Sequence, residues 1–172
     1  MPLPNVAYEH KELLTLNTDE VPIFKDAVEG LPGVDTQVLF ADPNANVWVL
    51  RALVHPGVVM PVHYHTGTVH VLTVRGRWHY VEYPDQVQVA GSYLYEPGGS
   101  VHQFVAPADN TELTEMIMFV SGSNINFDQD GNYLGVLDAS EIITSANRLA
   151  RERNITDAYY ISPSAPGYVR CG

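Results

Sequence analysis

The chain has 172 residues, enough for one domain with a sizeable core. Its formal net charge of −11 argues against nucleic acid or an anionic membrane as a partner. The single cysteine, Cys171, excludes an intrachain disulfide and fits a reducing, cytoplasmic setting. No apolar run approaches the roughly 20 residues of a spanning helix. The opening MPLPNVAYEHKE lacks the basic and apolar regions of a signal peptide.

Residues 1–34 read as an arm ahead of a β domain, with a short helical turn near Ile23–Val28 ended by Gly30 and Pro32. Such an arm covers a sheet edge or crosses to a second subunit. Residues 35–136 form the β domain. DTQVLFAD and NVWVLRALV flank the turn signal DPNAN and predict a hairpin. Arg51 is either a surface charge or, should its face line the interior, an anchor for an anionic substrate.

The stretch GVVMPVHYHTGTVHVLTVRG, Gly57 to Gly76, carries the chemistry. His63 and His65 stand two apart in strand-forming text, so both imidazoles project from one face. Side by side they suit a shared metal ion. Val69–Val74 is the next strand, Gly76 a tight turn, and Trp78–Tyr83 the return strand. Pro84 and Asp85 begin a loop, a strand runs through Ser92–Tyr95, and Gly98-Gly99 bend the chain into the strand of His102 and Phe104. ELTEMIMFVSG is the last long strand, and Asp128–Asn132 a hairpin turn.

Residues 137–172 change character. Asp138 with Glu141 marks a helix start. Ile142, Ile143, Ala146, Leu149 and Ala150 form one apolar stripe, to be buried on the barrel or against another subunit. The closing YYISPSAPGYVRCG reads as irregular.

The spacings G-x5-H-x-H and G-x5-P-x-G-x2-H, the second from Gly91 to His102, resemble the two motifs of the cupin family. The resemblance covers roughly the middle half of the chain. It implies an all-β, single-domain barrel of the double-stranded β-helix or jelly-roll kind, with a C-terminal α-helix. Metal-binding cupins usually carry a glutamate shortly after the second histidine, where this chain has Val69 and His70. The metal set is therefore expected to be His63, His65 and His102. His70 is a fourth ligand, a partner of a ligand, or a residue of the opposite face. His10, His55 and His79 have nothing nearby to complete a site.

The runs HYHTGTVHVLTVRGRWHYVEY and AGSYLYEPGGSVH are similar to those of the 2,4'-dihydroxyacetophenone dioxygenases, and more distantly to the acetylacetone dioxygenases. These are non-haem iron cupins. The likeness implies Fe(II) on the three histidines, with zinc or nickel in a protein as isolated, and O2 as co-substrate. It implies an aryl hydroxymethyl ketone or a β-diketone as substrate, and a homodimer or homotetramer. Three neutral imidazoles leave a divalent ion its full charge and open positions for a chelating enolate. Glu96, six positions before His102 and followed by Pro97, is the candidate catalytic carboxylate. It would orient a ligand or take the substrate's α-proton. Tyr64, Trp78, Tyr80, Tyr93 and Phe104 are candidate walls for an aromatic substrate. A zinc-holding regulatory cupin, similar to the cupin domain of anti-sigma factors, is the alternative. Those proteins add a helical sigma-binding domain, and here the sequence predicts one C-terminal helix.

Overall fold

The computed structural model describes residues 13–163, 165 and 167–172. His10 lies outside them. In chain order the strands are β1 (Val34–Asp42), β2 (Val47–Val54), β3 (Val62–His65), β4 (Val69–Arg75), β5 (Arg77–Tyr80), β6 (Tyr83–Val89) and β7 (Tyr93–Glu96). There follow β8 (Val101–His102), β9 (Phe104–Val105), β10 (Thr114–Ser121), β11 (Asn124–Phe127) and β12 (Tyr133–Leu137). Helix α1 (Ala139–Glu152) and strands β13 (Tyr159–Ile161) and β14 (Tyr168–Arg170) complete the chain.

A seven-stranded sheet runs β14-β13-β1-β2-β10-β4-β7 and faces a four-stranded sheet, β12-β11-β3-β8, with a three-stranded sheet β6-β5-β9 beside it. Strand alternation sets the interior. Trp48, Leu50 and Ala52 of β2, Val69 and Val71 of β4, and Met116 and Val120 of β10 are buried, while their odd-even neighbours face out. The hairpin β1–β2 pairs Val34 with Val54 and Asp42 with Val47. Its turn is fixed by Asp42 Oδ1, which accepts from the Asn44 amide at 3.0 Å. No helix of the described residues is long and apolar enough to cross a membrane.

Helix α1 starts where the Asp138 side chain accepts from the Glu141 amide at 2.8 Å. Ala139, Ile142, Ala146, Leu149 and Ala150 are buried and join the core of the chain's own barrel. The stripe is thus covered within the chain, against β1 and β12.

Three expectations are corrected, and one open alternative is decided. The segment Ile23–Val28 forms no helical turn: Phe24 exchanges backbone hydrogen bonds with Thr36 (2.8 and 2.9 Å), so the pairing takes the groups a helix would use and covers part of the β1 edge. Pro84 and Asp85 lie inside β6, not in a loop, because β6 is an edge strand and an edge tolerates a missing amide. The tail is not irregular: β13 pairs with β1 and β14 with β13. Of the two readings of Arg51, the substrate anchor falls. Arg51 lies on the outer face of β2, where Nε donates to Glu115 Oε1 at 2.7 Å and Nη1 to Gln37 Oε1 at 3.0 Å.

Candidate metal centre

The four-stranded sheet assembles the site. His63 and His65 occupy alternate positions of β3, and His102 of β8 is paired directly with His63. All three are buried, and one ring nitrogen from each lies within 4.8 Å of the other two. The His63–His102 and His63–His65 ring centroids are 4.6 and 4.8 Å apart. Nδ1 of His63 sits 3.1 Å from the Pro61 carbonyl oxygen, leaving its Nε2 for the cluster. Burial first, then the neighbouring His102 and His65, push the His63 imidazole down to about 4. It is neutral, and hence a competent ligand, near pH 7.

Glu96 reaches in from the opposite sheet. Its Oε2 is 3.0 Å from His65 Nε2 and 3.2 Å from His102 Nε2. Its Oε1 accepts from the Tyr80 phenol, whose ring stacks on His102 at 3.9 Å. Burial raises the Glu96 carboxyl, but His102, His65 and Tyr80 outweigh it and hold the group well below the usual carboxylate range. Burial and the charge on Glu96 push the Tyr80 phenol well up, so it stays a donor.

These residues fit a divalent transition metal. His65 Nδ1 is buried with no hydrogen-bond partner among the described residues, and Glu96 Oε2 is shared between His65 Nε2 and His102 Nε2. Such an orphan costs about 1–3 kcal/mol. An ion among the rings would satisfy donors of this kind, and imidazole suits zinc, iron, copper or nickel.

A cavity of about 480 Å3 lies against this cluster. Its walls are mainly apolar, including Leu50, Val71, Met116 and Met118 from one sheet and Trp78 and Phe104 from the other side. The exposed Glu29 and Glu141 are among its lining residues, so the arm and α1 both contribute to its wall. This size falls within the ordinary range for a small-molecule site, ~300–1,000 Å3.

Of the expected wall residues, Trp78, Tyr80 and Phe104 line the cavity. Trp78 donates to Thr73 Oγ1 at 2.9 Å and stacks on Phe104 at 5.1 Å. Tyr64 and Tyr93 do not line it. Tyr64 sits between His63 and His65 on β3 and so faces away, and Tyr93 is 65% exposed on the outer face of β7. His70 is likewise no ligand: between inward Val69 and Val71, it points outward and its Nδ1 meets the Tyr93 hydroxyl at 2.6 Å. His79 and His55 are not in the cluster; His79 Nδ1 contacts the Tyr80 carbonyl and His55 lies 3.7 Å from Asp35. Asn124 and Asn126, which belong to no sequence motif, also face the cavity, from β11 beside β3. Their only sequence signal is the alternation of N-I-N, which carries no motif.

Fold and site together define a metal-binding cupin. The chain belongs to the ChrR cupin-like domain family, whose model matches residues 13–124. It is 47% identical to a protein of unknown function with a cupin-like fold from Ralstonia eutropha JMP134, covering 95% of this chain and 99% of that one with a TM-score of 0.85. An RmlC-like cupin of the same organism is 25% identical over 86% of this chain and 92% of its own, TM-score 0.77. An acetylacetone dioxygenase from Acinetobacter johnsonii shares the fold at 18% identity, over 84% of this chain and 97% of its own, TM-score 0.66. No curated protein matches the chain.

Proposed function

We propose that this cupin is a non-haem Fe(II) dioxygenase that cleaves an aryl hydroxymethyl ketone such as 2,4'-dihydroxyacetophenone. The ketone and O2 would yield 4-hydroxybenzoate and formate, so both atoms of O2 end in the products. The observation that carries this reading is the pairing of three buried imidazoles with a largely apolar cavity of about 480 Å3. Iron bound there would supply Lewis acidity to a chelating substrate and electrons to O2.

The chain's own residues supply the rest. Trp78, Phe104 and the Tyr80 ring form an apolar wall beside the metal centre. The barrel walls exclude water from the reacting carbons. Oε1 of Glu96 is held by Tyr80, whereas Oε2 faces the histidines, 3.0 Å from His65 Nε2 and 3.2 Å from His102 Nε2. Oε2 is the atom that would take the α-proton as the ketone becomes an enolate. β-Diketones, which also chelate through two oxygens, are the alternative substrates.

A second reading, a zinc-holding cupin without catalysis, is favoured by the family match, since that family is named for ChrR and not for an enzyme. The large cavity weighs against it, because holding an ion requires no such space. Oxygen uptake separates the two. Protein loaded with iron without air should consume O2 when given aryl hydroxyketones, and metal-free protein should not. Bound zinc with no uptake for any hydroxyketone or diketone after iron loading would support the second reading instead.

A further inference from the structure

Strand β11 lies alongside β3 with Asn124 opposite His65 and Asn126 opposite His63. Side chains directly opposite on paired strands share a face, so both carboxamides stand next to the imidazoles. The outward residues of the same strand, Ile125 and Phe127, are apolar. The polar pair is therefore on the inward face, the reverse of what burial alone would select. Both asparagines line the cavity. Asn124 Oδ1 is covered and has no hydrogen-bond partner among the described residues. Such an unpaired group costs about as much as a lost hydrogen bond.

On the other side of β11, Gly135 of β12 is opposite Asn126. A Cβ at Gly135 would meet no atom within 4 Å, and its backbone is not in the left-handed region, so the missing side chain leaves open space. Across the sheet the row reads Gly135, Asn126, His63, His102: a gap, an amide and two imidazoles. Gly135 also lines the cavity, as do Val136 and Leu137 beside it and Ile142 of α1.

We propose that Asn124 and Asn126 are a substrate-recognition pair that hydrogen-bonds the oxygenated head of a hydroxyketone, while the space at Gly135 admits its apolar body toward α1. This rests on the metal centre being a substrate-binding site. An amide turned either way offers one donor group and one acceptor. That pair matches a head with both a hydroxyl and a carbonyl. A site built to hydrogen-bond a hydroxyl discriminates strongly against an analogue without it. The proposal therefore favours hydroxymethyl ketones over the corresponding methyl ketones and over β-diketone enolates, which have only acceptors.

The test is calorimetric binding of 2-hydroxyacetophenone, acetophenone and hydroxyacetone to zinc-loaded protein, where no turnover intervenes. Asn124→Leu should weaken 2-hydroxyacetophenone roughly 10-fold, and Asn124→Leu with Asn126→Leu further, with acetophenone little changed. Gly135→Leu should weaken 2-hydroxyacetophenone and spare hydroxyacetone, which has no aryl body. Zinc content and thermal melting are measured on each variant, and Asn124→Ser replaces Asn124→Leu if the latter does not fold. Equal affinity of wild type and asparagine variants for 2-hydroxyacetophenone, with zinc bound in all, overturns the recognition pair and leaves the metal centre standing. A zinc-loaded wild type that binds no hydroxyketone overturns the substrate-binding reading, and the proposal with it.

Discussion

Oε2 of Glu96 lies 3.0 Å from Nε2 of His65, although the two residues stand on different sheets of the barrel. The same oxygen touches His102, so one carboxylate from the seven-stranded sheet adjoins two of the three histidines of the facing sheet. A negative group at this position balances an ion's charge and fixes two rings. Removing such a partner typically costs ~10–100-fold in metal affinity. Glu96→Gln should therefore weaken iron binding by about that factor, read by competition with a chelator. Under saturating iron, turnover should still fall roughly 10²–10⁴-fold, the usual contribution of a positioned base. Unchanged affinity and unchanged turnover would reduce Glu96 to a structural carboxylate.

The part of this centre that was legible in sequence follows from the period of a strand. His63 and His65 share a face because they stand two apart, and the glycine and proline spacing marked His102 as their companion. The same period carries the correction of Tyr64, since a residue between two inward histidines faces out. Tyr93 is three positions from Glu96, so only one of them can face in. Register was not legible. Nothing in N-I-N says that it pairs with H-Y-H, and nothing in the tail says that Tyr159–Ile161 will extend the sheet at β1. Such pairings are tertiary choices that local propensity does not encode. Pro84 misled for a related reason: it argues against a central strand, and whether a strand is central depends on neighbours far along the chain.

His63 makes the stability of the metal-free protein depend on pH. Its folded-state imidazole is pushed down to about 4 from an ordinary 6.5. Between those values the unfolded chain binds the proton and the folded chain does not, so stability falls as pH drops through 6.5 toward 4. Lowering the pH from 7.5 to 5 should cost about 2 kcal/mol from this group alone. Glu115, held down by Arg51 and Arg75 against the effect of burial, adds a loss of the same sign at still lower pH. Urea midpoints at the two pH values measure the sum, and His63→Asn should remove most of the first contribution. A midpoint that does not move in the wild type would mean that the ring is protonated in the fold.

Gly67 anchors the histidine strand. The β3–β4 link is stitched to the β10–β11 link: Thr66 N donates to Ser123 O at 2.9 Å, and Ser123 N to Thr66 Oγ1 at 2.8 Å. A Cβ on Gly67 would overlap the Ser121 carbonyl, which is backbone and cannot swing aside. Gly67→Ala should cost about 1–3 kcal/mol, the usual penalty of overpacking. For a chain of this length that lowers the melting temperature by roughly 2–10 °C. Metal affinity should fall with it, because His65 is two residues away. Gly135→Ala, where a Cβ meets nothing, is the control and should melt close to wild type.

The last expectation is assembly. Helix α1 buries its stripe on its own barrel, so that stripe is not free for a second subunit. The outer face of the seven-stranded sheet carries exposed apolar side chains. Pairing places Val49, Phe119, His70 and Tyr95 in one row, and Ile117, Leu72 and Tyr93 in the next. Leu72, Phe119, Tyr93 and Tyr95 are each exposed in the single chain. Large side chains contiguous on a surface mark an interaction site more often than an idle one. A flat face of this kind pairs with its own copy about a twofold axis, where each residue serves both sides. We therefore expect a homodimer through β4, β7 and β10. Light scattering at micromolar concentration should give about twice the 19.0 kDa chain mass, and Leu72→Lys with Phe119→Lys should return it to the monomer value. A dimer that survives both substitutions would assign assembly to another surface, and a wild-type monomer would leave this face without a partner copy.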